Sequence, residues 1–129
     1  NHNMETVERN YQQVRPQADY RRSLALLAAV KDLSPGMITK SGLMVGLGET
    51  PEEISLLFSD LRESHCDFLT IGQYLRPTKK NLPVVEYILP ETFEKLRIEA
   101  VGRGFRFVAS GPLVRSSMYA EEMYRDGRS

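Results

Sequence analysis

The sequence predicts an α/β fold with parallel strands, on three observations. Short apolar stretches of strand character alternate with segments of helical periodicity. Each stretch runs into a glycine or a polar turn. The links between successive stretches are long enough for right-handed crossovers between parallel neighbours. At 129 residues one domain is expected, and 41% hydrophobic residues suffice to bury its core.

Residues 6–14 are polar and predicted helical, interrupted by Arg15-Pro16-Gln17. A second helix is predicted from an Asp19 cap to about Asp32, with Tyr20, Leu24, Leu27, Ala28 and Lys31 on one stripe. Ser34-Pro35-Gly36 stops it. Residues 38–45 read as a strand opening into Gly46-Leu47-Gly48. The next helix has the clearest start signal: Thr50 as N-cap, Pro51 at the first helical position, and Glu53 completing a capping box. Ile54, Leu57, Phe58 and Leu61 then define its buried face. Residues 68–71 form a short strand ended by Gly72, and residues 73–89 a long polar connection. Pro90-Glu91 opens a helix with Phe93, Leu96 and Ala100 on its apolar stripe, closed by Gly102 and Gly104. Residues 105–109 form the last strand, and Ser110-Gly111-Pro112 turns the chain toward Arg115-Ser116-Ser117-Met118. Three strands cannot close a barrel, so a partial (β/α) barrel completed by strands upstream of Asn1 fits better than a free-standing sheet.

Lys plus Arg number 17 and Asp plus Glu 17, a formal net charge of +0, which removes the broad basic footprint of a general nucleic-acid or membrane-surface binder. Neither nucleic acid nor membrane is an expected partner. No apolar run reaches the roughly 18 residues that span a bilayer, and Asn1-His2-Asn3-Met4-Glu5 is neither a signal nor a transit peptide. With Cys66 as the one cysteine, no internal disulfide and no all-cysteine metal site can form. The chain lacks an initiator Met and is expected to come from something longer.

Ligands of parallel α/β folds gather at the carboxyl ends of the strands, so the residues after each strand are the candidates. Gly42-Leu43-Met44-Val45-Gly46-Leu47-Gly48-Glu49 has glycines that let a backbone approach a flat ligand, and strand-end amides and carbonyls for an adenine edge. A tight strand-to-helix turn is the competing reading. The segment has neither the third glycine of a dinucleotide fingerprint nor a phosphate-loop Lys. Asn1, Asn3 and Glu5 stand at period 2, an arrangement suited to a ribose diol or found in any polar loop. Thr70-Ile71-Gly72-Gln73-Tyr74-Leu75-Arg76-Pro77 leaves its strand at the same end and supplies backbone groups and an apolar wall, or only a turn. In Ala109-Ser110-Gly111-Pro112-Leu113-Val114-Arg115-Ser116-Ser117-Met118, two hydroxyls beside an Arg either cap a helix or bind an oxyanion. Arg15 and Lys40 are cations that could meet a carboxylate or stay surface charges.

Taken in register, these blocks resemble those of lipoyl synthases, radical S-adenosylmethionine (SAM) enzymes, over essentially the whole chain. The resemblance rests on Asn1-His2-Asn3-Met4-Glu5-Thr6, Lys40-Ser41-Gly42 through Gly48-Glu49-Thr50, Thr70-Ile71-Gly72-Gln73-Tyr74, and Ala109-Ser110-Gly111-Pro112 through Arg115-Ser116-Ser117. The last is the most discriminating. The resemblance implies the C-terminal part of a radical-SAM partial (β/α)6 barrel, with residues 1–129 in the core and 110–129 as a cluster-ligand tail. It implies that Gly42, Met44, Val45, Gly46 and Glu49 serve adenine, in an element similar to the family's G-x-I-x-G-x-x-E with Met44 at the Ile position. Asn3 and Glu5 would bind the SAM ribose, as in the related biotin synthases, and Asn1 would face the substrate. Backbone groups around Tyr74 and Leu75 would complete the adenine site, with Arg15 and Lys40 as candidates for the methionine carboxylate. Ser117, the second serine of the family's Arg-Ser-Ser-Tyr motif, would ligate an auxiliary 4Fe-4S cluster, with Arg115 beside it in the catalytic set. Met118 stands where the family has Tyr.

The activity so implied is sulfur insertion at C6 and C8 of an octanoyl chain carried on a lysine of a lipoyl-acceptor protein. SAM and two 4Fe-4S clusters would be the cofactors, and ferredoxin or flavodoxin the electron donor. A hydroxyl matches iron less well than a thiolate, which would leave that iron easier to release. The family's cluster cysteines would lie upstream of Asn1, so this chain alone is expected to be inactive. It would be cytoplasmic in a bacterium, mitochondrial or plastid in a eukaryote. Two other readings stand beside this one: another sulfur-inserting radical-SAM enzyme such as biotin synthase, disfavoured by Arg115-Ser116-Ser117, and a non-catalytic half-barrel that binds a partner. Arg76, Lys79 and Lys80 fit docking of an acidic acceptor domain or a solvated loop.

Overall fold

A computed structural model describes residues 2–118. A 3-10 turn, Glu8–Asn10, leads into α1 (Tyr11–Val14), followed by α2 (Tyr20–Leu33), β1 (Lys40–Val45), α3 (Pro51–Glu63), β2 (Phe68–Gln73), α4 (Pro90–Gly102) and β3 (Phe107–Ser110). The strands form one parallel sheet in the order β1-β2-β3, with α3 and α4 as the crossovers. This is the α/β alternation the sequence predicts; the described residues do not themselves close a barrel. No helix among them is long and apolar enough to cross a membrane.

The start signals work as expected. Asp19 accepts from the Arg22 N–H at the head of α2. At α3 the Thr50 hydroxyl accepts from the Glu53 N–H (3.1 Å), and the Glu53 carboxylate accepts from the Thr50 N–H (2.8 Å). Glu53 is further held by Arg9 through two bonds of 2.7 and 3.1 Å, tying the first turn of α3 to the segment before α1. Gly104, at φ 105°, turns the chain from α4 toward β3 through the left-handed region that favours glycine.

One face of the sheet carries the core. Leu43, Val45, Leu69 and Ile71 alternate along β1 and β2 and are buried against Leu27, Leu57, Phe58 and Phe93 from the helices. The stripe of α2 that ends in Lys31 is explained by an ion pair: Lys31 Nζ stands 2.5 Å from Asp67, which also accepts from the Thr39 N–H. The other face presents Lys40, Gly42 and Met44, paired across to Phe68, Thr70 and Gly72 and then to Phe107 and Ala109.

The helix expected over residues 6–14 is a 3-10 turn followed by the four-residue α1, and the strand ends also differ from expectation. β1 begins at Lys40 and β3 at Phe107, because Ile38 and Phe105 enter the core ahead of the paired residues. β2 runs through Gly72 to Gln73, paired with Met44 and Val45. Gly72 therefore does not end the strand; it admits a crossing backbone, since a Cβ there would strike the Val114 carbonyl oxygen.

Residues 2–5 add a parallel segment along the free edge of β1. The His2 N–H donates to the Lys40 carbonyl (3.0 Å), the Glu5 N–H to Gly42 (2.9 Å), and the Met44 N–H to Glu5 (2.9 Å).

Candidate functional site

The face of the sheet opposite the helices is covered by the chain's own carboxyl-terminal segment. After β3 the Gly111 N–H bonds the Ile71 carbonyl, and residues 112–118 double back across the strands. Val114 passes over Gly72 of β2. Ser116 lies over Gly42 of β1, its Cβ 2.9 Å from where a Cβ on that glycine would stand. The Ser116 hydroxyl accepts a 3.0 Å bond from the Asn3 side-chain amide. Beyond it, Lys40 donates to the Met118 carbonyl. Arg115 lies over its own turn, on the carbonyls of Val114 (2.7 Å) and Pro112 (3.4 Å). Ser117 is exposed, and its hydroxyl makes no hydrogen bond among the described residues.

Asn3, Gly42, Thr70 and Ser116 thus converge at one spot. The position a Gly42 Cβ would take is 3.1 Å from both Asn3 Oδ1 and Thr70 Oγ1. Asn3 Oδ1 is buried with no hydrogen-bond partner among the described residues. The sequence marks Thr70 only as part of a longer block and Ser116 only as one of two hydroxyls beside Arg115. Their meeting at Gly42 depends on the pairing register, which no local signal encodes.

At the carboxyl end of β1 the glycine turn is filled from within. Gly46 and Gly48 have φ of 114° and 88°. Glu49 folds back so that its carboxylate accepts from the Gly46 N–H at 2.6 Å and the Leu47 N–H at 3.3 Å. A Cβ at Gly46 would fall 2.6 Å from the Glu86 carbonyl oxygen, and the Gly46 carbonyl accepts from the Val85 and Glu86 N–H groups. The close approach that glycine permits here is to residues 85–86. Gln73 organises that approach. Its amide donates to the carbonyls of Tyr74 and Glu86, and its oxygen accepts from the Ile88 N–H (2.8 Å). The Tyr74 N–H bonds Val45 (2.8 Å) and its hydroxyl bonds the Leu82 carbonyl (2.7 Å), while Leu75 is exposed. Arg76 is consumed inside its own loop, on the carbonyls of Asn81 and Lys79.

Of the two cations, Arg15 stands with the edge segment. One nitrogen donates to the Asn3 and Met4 carbonyls at 3.0 and 3.3 Å, and its guanidinium carbon lies 5.4 Å above the centre of the Tyr11 ring. Beside it, burial and the Arg15 charge hold His2 below the ordinary imidazole range, with Nε2 2.9 Å from the Ser23 hydroxyl. Lys40 sits at the other end of β1 from Gly46, four residues and about 13 Å along the strand from Met44. It is 2% exposed, and burial pushes its pKa down. Glu5 has φ 69°, which takes it out of the pleat, so the period-2 alternation expected for Asn1, Asn3 and Glu5 does not reach Glu5. Asn1 and residues 119–129 lie outside the described residues.

The donor set bears on metal binding. Cys66 is fully buried, and burial, with Asp67 adding to it, pushes its thiol up to about 12, far from the thiolate a cluster needs. No group of three His, Cys, Asp or Glu among the described residues could hold a metal ion. Ser117 is exposed, so its turn offers one accessible oxygen donor.

No family model matches the chain. Among curated proteins, it is 57% identical over 122 residues to the lipoyl synthase of Alkaliphilus metalliredigens, covering 95% of this chain and 42% of that protein. It is 57% identical over 121 residues to the lipoyl synthase of Caldanaerobacter subterraneus, covering 94% and 43%. With the lipoyl synthase of Acidithiobacillus ferrooxidans the identity is 54% over 126 residues, 98% and 40%. The chain therefore spans about two fifths of the length of these relatives. By sequence the chain is a homologue of the lipoyl synthases, matched along nearly all of its own length.

Proposed function

We propose that this chain is the C-terminal portion of a lipoyl synthase, contributing to sulfur insertion at C6 and C8 of a protein-bound octanoyl chain. The observation that carries the reading is the Arg115-Ser116-Ser117 turn lying across the open face of a parallel sheet, with Ser117 exposed and Ser116 bonded to Asn3. Homology at 54–57% identity supports it independently. The α/β unit is read as the last part of a (β/α)6 barrel whose remaining strands continue beyond residues 2–5.

In this reading SAM lies across the carboxyl ends of the strands. The unpartnered Asn3 oxygen is an acceptor for a ribose hydroxyl, with Glu5 the next acidic group along the chain. The Gly42 to Glu49 element and the backbone at Tyr74 and Leu75 form the adenine wall. Glu49 holds the Gly46 and Leu47 amides in place, so its role is to shape the turn. Arg15 retains guanidinium nitrogens beyond the one spent on residues 3–4 and is placed for a carboxylate. Asn1, outside the described residues, is the proposed substrate contact. Ser117 supplies one oxygen ligand, with Arg115 shaping its turn.

When bound, a reduced 4Fe-4S cluster with SAM supplies hydrogen abstraction, and an auxiliary cluster supplies sulfur. Octanoylated acceptor domains are the proposed substrates and ferredoxin or flavodoxin the electron source; the compartment would be the cytoplasm in a bacterium and the mitochondrion or plastid in a eukaryote. The test uses the complete protein that carries this segment, reconstituted anaerobically with iron and sulfide. Incubated with SAM, reductant and an octanoylated acceptor domain, it should form 5′-deoxyadenosine and a lipoyl product, both read by mass spectrometry. A Ser117→Ala variant should keep the first and lose the second. A folded, fully reconstituted protein that makes no lipoyl group would refute the proposal, and turnover of dethiobiotin instead would move it to the biotin synthases.

A further inference from the structure

Lys40 is the anomaly of this sheet. It is a lysine with 2% exposure on the strand face, paired in register with Phe68. No carboxylate pairs with it among the described residues. Removing an ammonium from water is costly unless something replaces the lost hydration. Among the described residues, what replaces it is one backbone group, the Met118 carbonyl. The same turn is held at a second point, where the Asn3 amide donates 3.0 Å to Ser116. Asn3 belongs to the edge segment and Lys40 to β1, so two neighbouring stretches of backbone grip residues 116 and 118 on either side of Ser117.

We propose that Lys40 is a positioning residue for the Ser117 turn, closing a two-point clamp whose other point is Asn3. The clamp fixes Ser117 between its two anchors with the hydroxyl directed outward, so that an oxygen ligand is presented from a rigid sheet rather than from a loose tail. The bond runs to a backbone carbonyl, so it is indifferent to the side chain at 118, and Met118 satisfies it as well as any other residue. Lys40 lies about 13 Å along β1 from Met44, which separates this role from binding a methionine carboxylate at the strand ends.

The importance of the clamp rests on the reading of Ser117 as a ligand, but its existence is measured separately, by amide hydrogen exchange in the complete protein. Lys40→Met should speed exchange across residues 115–118 by roughly tenfold or more, as loss of a charge-assisted bond predicts. Amides of β2 should change less than about twofold, and Lys40→Arg should restore protection. SAM affinity should stay within about threefold of the parent. Unchanged exchange in folded Lys40→Met overturns the clamp. So does a tenfold loss of SAM affinity without faster exchange, which would make Lys40 a cofactor ligand. If Lys40→Met fails to fold, acylation of the unaltered protein decides: Lys40 should label at least tenfold more slowly than Lys79 and Lys80, and equal labelling refutes the proposal. Lipoyl formation is scored apart from these readouts, so an inactive protein with a responsive turn sinks the function and leaves the clamp standing.

Discussion

Gly72→Ala isolates the crossing of the carboxyl-terminal segment over the sheet. A Cβ at this position would meet the Val114 carbonyl oxygen and, at 3.2 Å, the Arg115 guanidinium. The arginine can swing away, but the carbonyl is backbone and cannot rotate clear without moving the segment. Overpacking of this kind costs about 1–3 kcal/mol. The strand itself gains slightly, since Ala replaces Gly in an extended position, by about 0.5–1 kcal/mol. The sheet should therefore keep its melting temperature within a few degrees while the segment lifts. A rise of 1–3 kcal/mol in the seated state raises the open population roughly 5- to 150-fold. Tryptic cleavage after Arg115 reads that population, because cleavage follows the open form when opening and closing are fast. Gly36→Ala is the control, with nothing within 4 Å of the new methyl. Equal cleavage rates at Arg115 in Gly72→Ala, Gly36→Ala and the parent would refute the crossing.

Thr50→Ala removes a complete capping box and should cost about 1 kcal/mol, lowering the melting temperature by about 2–8 °C, as read by circular dichroism. Cys66, fully buried with its thiol raised to about 12, should not react with iodoacetamide at pH 8 in the folded protein and should react at an ordinary rate in denaturant. Glu53 has its pKa lowered to about 2 by hydrogen bonds from Arg9 and from the Thr50 N–H. A depressed carboxyl pKa stabilises the fold above the unfolded value near 4.5 and loses that contribution as pH falls toward 2, so Glu53→Gln should flatten the stability profile in that window. The pair is solvent-exposed, so the effect should be small and shrink further in high salt.

How far the sequence was legible depends on whether a feature is local. The capping box at Thr50, the Asp19 cap and the buried stripe Ile54, Leu57, Phe58 and Leu61 are set by spacings of three or four residues, and they appear as read. Gly72 shows the limit. A glycine between strand-like and polar residues looks like a terminator, yet its cause is a carbonyl 42 residues later in the chain. Lys40 shows the same limit from the other side: its charge suggested a small anionic ligand, and its observed partner is a carbonyl 78 residues away. Asn3 and Ser116, 113 residues apart, meet only because parallel pairing aligns residues 2–5 with β1 and the last segment folds back. Such contacts are fixed by register and crossing, for which one sequence carries no periodic signal.

Asn3 offers the sharpest separation of stability from function. Its amide donates one bond to Ser116, worth about 0.5–1.5 kcal/mol to the fold. Its oxygen is buried without a partner, which costs about 1–3 kcal/mol. The two nearly cancel, with the penalty larger, so Asn3→Ala should leave the melting temperature unchanged within a few degrees or raise it slightly. A half-buried side chain that contributes so little to the fold, with an enclosed oxygen left unsatisfied, is what a binding position looks like. The same substitution in the complete protein should weaken SAM binding by roughly tenfold, the cost of one hydrogen bond to a ligand hydroxyl. A melting temperature lowered by ten degrees or more, with SAM affinity untouched, would show that Asn3 is a structural residue and that its unpartnered oxygen has no ligand.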